Sequence, residues 1–170
     1  MKHFKLFLLP LLAMTLVFSS CEQQDLSLTY IEPIQDWGKS PQYILEKMTK
    51  SKSGATLEQS DNEDEASFLL YNNYGIANML VYTFEYNKLI YSYEQIFSLT
   101  NKQTIINYCD KKLTLVQIEK VEGYEYYLYH NKKKTSSILL MIDKDFSKDI
   151  IIFYAPYMDG DIEDFEDTIF

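Results

Sequence analysis

Apolar residues recur along this chain with two different periods, and the switches between them mark out its elements. Ile44, Leu45 and Met48 fall on one stripe at helical spacing and predict a helix from Pro41 to about Lys50. Ser40 and Pro41 suit its start, because a serine oxygen satisfies an orphan helix amide and proline brings no amide to satisfy. The same grammar returns at Thr100, where Gln103 completes a capping-box pattern and Ile105, Ile106 and Cys109 make the stripe. That predicts a second helix from about Asn101 to Lys111. Strand-like segments follow each helix, and the first two correspond without gaps at a separation of fifty-eight positions: Thr56–Gln59 with Thr114–Gln117, and Phe68–Asn73 with Tyr126–Asn131. Leu80–Glu85 and Ile138–Asp143 also correspond. Identities are few, so shared strand composition competes with duplication; the order of elements favours duplication. The expected fold class is α+β, with two repeats of one helix followed by a four-stranded antiparallel sheet, over residues 37–99 and 100–157.

Two hairpins can be read in more detail. A two-residue turn at Asn87 and Lys88 sets Tyr86 opposite Leu89, Phe84 opposite Tyr91 and Tyr82 opposite Tyr93. All six would share a face directed at the helices, leaving Thr83, Glu85, Ser92 and Glu94 to water. In the last hairpin Ile138, Leu140 and Ile142 alternate with Leu139 and Met141, and Ile150–Tyr154 is apolar throughout. Both faces of that hairpin want cover.

Before the first helix the chain has a different character. Lys2 and Lys5 precede an apolar run from Leu6 to Phe18, interrupted by Pro10, which is the order of a secretory signal and is shorter than the ~20 residues a transmembrane helix needs. Phe18-Ser19-Ser20-Cys21 resembles the lipobox of bacterial lipoproteins, with Phe where Leu is commoner. The resemblance implies removal of residues 1–20 as a lipoprotein signal peptide and acylation of Cys21; an ordinary signal peptide followed by a free cysteine is the alternative. Several acyl chains on one residue anchor stably, since each buried methylene contributes ~0.8 kcal/mol and one chain is marginal. Residues 21–36 read as a lipidated tether that begins to dock at Tyr30, Ile31 and Ile34.

Cleavage would leave 150 residues and, by removing Lys2 and Lys5, take the formal net charge from −9 to −11. A domain of that length buries about 68–70% of its unfolded surface and needs no disulfide or metal to hold a core. With Cys21 lipidated, Cys109 has no partner in the chain and is expected to pack as a small apolar residue on the inner side of its helix. Acidity disfavours nucleic acid and anionic lipid as partners, leaving the anchor to hold the membrane.

A tandem of helix-on-sheet units is similar in architecture to the beta-lactamase-inhibitor protein and to the small assembly lipoproteins of the outer membrane. It also resembles short bacteroidete-type lipoproteins in which a Trp-Gly-x-Ser segment, here Trp37-Gly38-Lys39-Ser40, opens the first helix. The resemblance spans roughly residues 37–155 and implies a binding or scaffolding module; no active-site residues come with it.

Candidate chemistry is sparse. Asp159–Asp167 is rich in carboxylates without the spacing of a calcium loop, and residues 158–170 read as a solvated acidic tail that Phe165 and Phe170 could pin. Glu63, Asp64 and Glu65 lie in a charged link, not the partly desolvated cleft that acid–base work needs. The serines have no Gly-x-Ser-x-Gly setting, His130 reads as part of a polar turn, and neither phosphate-binding glycine motif occurs. No catalytic residue, metal ligand or cofactor is expected. Tyrosine is the residue with a functional edge: Tyr124, Tyr126, Tyr127 and Tyr129 crowd one strand, and exposed tyrosines bind proteins or sugars. Cross-strand packing is the plainer account of them. Lys132-Lys133-Lys134 beside them reads as a hairpin turn.

The expectation is therefore an envelope lipoprotein held on the outer membrane, on its periplasmic or cell-surface face, that binds or scaffolds another protein without catalysis. Tyr127, Tyr129, Leu139 and Met141 form its expected surface. A glycan-binding accessory lipoprotein is the alternative.

Overall fold

The computed structural model describes residues 30–51, 53–62, 65–145 and 147–169; the signal segment and Cys21 lie outside them. In chain order the elements are α1 (Pro41–Lys50), β1 (Thr56–Asn62), β2 (Ala66–Tyr74), β3 (Ala77–Glu85), β4 (Lys88–Ile96), a 3-10 turn (Leu99–Asn101), α2 (Lys102–Lys112), β5 (Leu113–Val121), β6 (Tyr124–Asn131), β7 (Ser136–Asp143), β8 (Ile150–Pro156) and α3 (Ile162–Ile169). The eight strands make one antiparallel sheet in the order β1-β2-β3-β4-β8-β7-β6-β5. This corrects the expected fold class: two repeats, each with a four-stranded sheet of its own, give way to a single sheet and three helices. The physical reason lies in β8. Ile150–Tyr154 is apolar on both sides, which suits an interior strand, and it pairs with β4 from Ser92↔Tyr154 to Ile96↔Ile150 and with β7 on its other side.

Both longer helices lie on one face of this sheet, called inner below. Ile44 and Met48 of α1 and Ile105 and Cys109 of α2 pack with Leu69, Tyr82, Leu80, Tyr129, Ile138 and Leu140 in one core. Ser40 caps α1 as its sequence suggests, its Oγ accepting from the Tyr43 amide at 3.4 Å. α2 starts differently. Ser98 caps the short turn ahead of it, accepting from the Thr100 amide, and Gln103 bonds Asn107 one turn on instead of closing a capping box. The segment from Tyr30 docks into the same layer: Tyr30 meets Tyr108 edge to face at 4.7 Å, the Ile34 amide donates to Tyr82 Oη, and Tyr74 Oη donates to the Glu32 carbonyl.

The β3–β4 hairpin departs from the expected register. Its turn residues are Tyr86 and Asn87, both at positive φ, and Glu85 pairs with Lys88. Phe84 pairs with Leu89 and Thr83 with Tyr91, so Ile90 is an extra residue bulged out of the ladder. A one-residue shift exchanges the faces of everything beyond it. Tyr91 and Tyr93 therefore go to the outer face, and Ser92 and Glu94, expected in water, go to the core. The bulge also turns the Leu89 backbone outward, where it exchanges hydrogen bonds with Gly38 N and the Lys39 carbonyl at 2.9 and 2.8 Å.

The C-terminal segment is not a solvated tail. α3 lies on the outer face, where Ile162 and Phe165 pack with Leu128, Leu139, Phe153 and Ala155. Its start is held by an exchange between Asp161 and Asp164, each amide donating to the other's carboxylate at 3.1 Å. A Cβ on Gly160 would stand 2.5 Å from Asp164 Oδ2, so a larger residue there would displace the side chain that holds the start of the helix. Phe170 lies outside the described residues.

Candidate docking surface

Of the four residues expected to form a binding surface, none is exposed. Tyr127 and Tyr129 point to the inner face, 8% and 0% exposed, with rings stacked at 6.5 Å. Tyr129 Oη donates to Asp110 of α2 and Tyr127 Oη to Glu125, each at 3.0 Å, and burial raises both hydroxyls above their ordinary pKa, Tyr127 to about 12. Leu139 is buried beneath α3, and Met141, two residues on along the same strand, is half-buried. The last hairpin's two apolar faces are thus covered from within the chain, by α1 and α2 on one side and α3 on the other.

The uncovered apolar surface is elsewhere. One outer-face row crosses the sheet through Leu70, Val81, Tyr93, Phe153, Leu139 and Leu128. α3 buries the last three of these, and Tyr91 and Tyr93 pack against the same cluster; Leu70 and its neighbours Phe68 and Met79 lie outside it and are half-buried, while Val81 between them is buried. Beside the end of α3 a cleft of about 510 Å³ opens, lined by Trp37, Ile90, Tyr91, Ala155 and Met158 together with the charged Glu85 and Lys88. The Ile90 bulge creates it, by turning Tyr91 onto this face and drawing the Trp37–Gly38 loop to Leu89. Trp37 is fixed by two hydrogen bonds from its indole N–H, to the Thr135 carbonyl at 3.1 Å and Ser136 Oγ at 3.0 Å. Such a surface has aromatic area and a polar rim, elements of a protein-docking patch.

Strongly perturbed ionisable groups have structural partners. Glu94 is fully buried at the centre of the inner face, between Leu80 and Ile152; Tyr154 Oη donates to its Oε2 at 2.9 Å while Oε1 and the nearby Ser92 Oγ lack partners. Burial, aided by the charge on Glu32, raises its pKa well above the ordinary value. Neither this cleft nor the smaller one at Glu32, Tyr108 and Lys133 reaches it. Glu125 is the opposite case. Lys102 at 2.6 Å, Lys144 at 3.3 Å and Lys120 at 3.9 Å surround it, and the bond from Lys102 leads in lowering its pKa to about 2. Cys109 is buried, and desolvation lifts its thiol to about 12. His130 is on β6 rather than in a turn, buried and edge-on to Tyr157 at 4.8 Å, with its pKa lowered by burial. Of the charged link, Glu65 is exposed and Glu63 and Asp64 lie outside the described residues.

Among the described residues no group of three or more His, Cys, Asp or Glu is placed to hold a metal ion, and no helix is long and apolar enough to cross a membrane. No protein family, curated protein or solved structure matches this chain. Sequence reasoning missed Tyr91, Tyr93 and the cleft because it missed the bulge; the positive φ at Tyr86 carries no glycine to announce it.

Proposed function

We propose that this chain is a cell-envelope lipoprotein, held at the outer membrane by acyl chains on Cys21, that binds or scaffolds another protein through the open half of its outer sheet face. The observation that carries this is an asymmetry of cover. The apolar outer face is buried beneath α3 over β6–β8, whereas Phe68 and Leu70 of β2 and Met79 of β3 stay half-buried outside that contact, with a cleft at the boundary. An aromatic face of this kind gains by burial against a partner.

The order of charges, apolar run and cysteine in residues 1–21 supports the anchor. Tyr30, where the chain docks, lies nine positions after Cys21, a reach of about 30 Å at most, so an anchored domain stays close to its membrane. A non-enzymatic role is supported by the engagement of Glu125, Tyr127 and Tyr129 in structural pairs. The glycan alternative relied on the rings of Tyr127 and Tyr129 as a stacking platform, and their burial leaves it without one.

Two measurements test this reading. Intact mass of the protein from its native host should carry acyl additions on Cys21; an unmodified, freely soluble polypeptide sinks the anchor. Affinity purification from detergent-solubilised envelopes should recover a discrete partner with the wild type and lose it with Tyr91→Glu. Repeated recovery of the protein alone under mild conditions defeats the binding reading.

A further inference from the structure

The sheet has two free edges, and they are unequal. β1 is polar, Thr56-Leu57-Glu58 followed by Gln59, Ser60, Asp61 and Asn62, and Leu57 is its one exposed large apolar residue. β5 is longer, and Leu115, Val116, Ile118 and Val121 are 43–47% exposed along it. These are four of the seven large apolar residues exposed among the described residues. Among those residues no backbone hydrogen bond reaches the outward side of β5, whose ladder partner is β6 alone. An edge this long and apolar is a template for another strand unless charge or distortion guards it. Its lysine, Lys120, is drawn toward Glu125 of its own sheet at 3.9 Å, and its bulge lies at one end, between Leu115 and Gln117.

Charge decides what would fit. On the outer side of this edge Glu119 lies beside α3, whose exposed residues Glu163, Asp164 and Asp167 are acidic and make no ion pair among the described residues. Burial raises the pKa of Glu166, and the nearby charges of Glu119, Asp167 and Glu163 add to the rise. On the inner side Leu115 and Ile118 continue the rows of Tyr129 and Tyr127 and present apolar surface. We propose that β5 is a second docking site, at which an extended segment of a partner protein adds as a ninth strand, with apolar side chains against Leu115 and Ile118 and Lys or Arg side chains toward Glu119 and α3. Backbone pairing supplies the affinity in this mode, and the alternation of side chains supplies the choice. The inference rests on the protein-binding reading above but not on the outer cleft. A second copy fits less well, since β5 against β5 would bring the two acidic α3 flanks together.

The test uses the full chain and three blocked nine-residue peptides: alternating valine and lysine, alternating valine and glutamate, and the valine–lysine peptide N-methylated at alternate amides. The first is expected to bind and to slow hydrogen exchange in β5 amides, the second to bind about tenfold more weakly, and the third not to bind. Glu119→Lys with Glu166→Lys should reverse the order of the first two, and Ile118→Lys should abolish binding of the first while leaving the thermal transition in place. Equal affinity for the two charged peptides, or protection confined to other strands, overturns the proposal. So does a wild-type dimer that Ile118→Lys dissociates, which would make a second copy the occupant. Partner capture that survives Ile118→Lys but fails with Tyr91→Glu defeats the edge site and keeps the protein-binding reading. Peptide addition at β5 by a chain that captures nothing from envelopes does the reverse.

Discussion

The two halves of the sheet share a backbone plan and differ in what covers it. β1 pairs with β2 through a ladder that slips between Leu57 and Gln59, and β5 pairs with β6 through one that slips between Leu115 and Gln117, fifty-eight positions on. Each half lies under a helix on the inner face. On the outer face, however, Leu128 is 1% exposed beneath α3, while Leu70, in the same cross-strand row, is half-buried with no described helix above it. Similar ladders thus end in different surfaces, because one short acidic helix returns to one half only. Cover, more than strand geometry, divides the interior of this molecule from its contact surface.

The largest effect should come from removing that cover. Phe165 is fully buried at the centre of the α3 contact, and Phe165→Ala is expected to cost about 3–5 kcal/mol in urea unfolding and to raise binding of an apolar dye to the native state. Unchanged dye binding would mean that α3 is not what seals the second half. Paired truncations then sharpen the contrast: Leu128→Ala should cost about 2–5 kcal/mol and Leu70→Ala about 1 kcal/mol. Equal losses would show that the two outer faces are equally buried in solution.

A smaller, pH-dependent effect probes the seam where the halves meet. Glu94 keeps its proton more tightly folded than unfolded, so its contribution to stability is complete below about pH 4.5 and erodes as pH rises toward the folded-state value. The slope is about 1.4 kcal/mol per pH unit. Glu94→Gln should match the wild type near pH 5 and exceed it at pH 8, and parallel stability profiles would contradict the buried protonated carboxyl.

Local chemistry was the legible part. α1 begins and ends where Ser40, Pro41 and the Ile44–Met48 stripe place it, and α2 falls within a residue of its expected span. Cys109 packs on the inner side of α2 as a small apolar residue. What the residues did not disclose is set at a distance. That Ile150–Tyr154 wants cover on both faces was readable, but not that β4 would be its neighbour and merge the expected sheets into one. The Ile90 bulge has no residue signature, and missing it inverted the faces of Ser92, Glu94, Tyr91 and Tyr93. The stretch Asp159–Asp167 looked soluble because its apolar members, Ile162 and Phe165, are only two; they suffice because the sheet offers a matching apolar floor. Tyr127 and Tyr129 misled for a related reason, since a strand dense in tyrosine reads the same from sequence whether its hydroxyls meet solvent or the carboxylates of Asp110 and Glu125.

The order of strands has a consequence in time. β8 is the last strand made, yet it sits in the middle, zipped to β4 on one flank and β7 on the other. Until it arrives, a growing or translocating chain carries two raw borders that belong inside, and contacts spanning some sixty residues of sequence, such as Tyr154 with Glu94, must wait for it. A keystone laid last leaves the arch needing scaffolding until the final stone drops in.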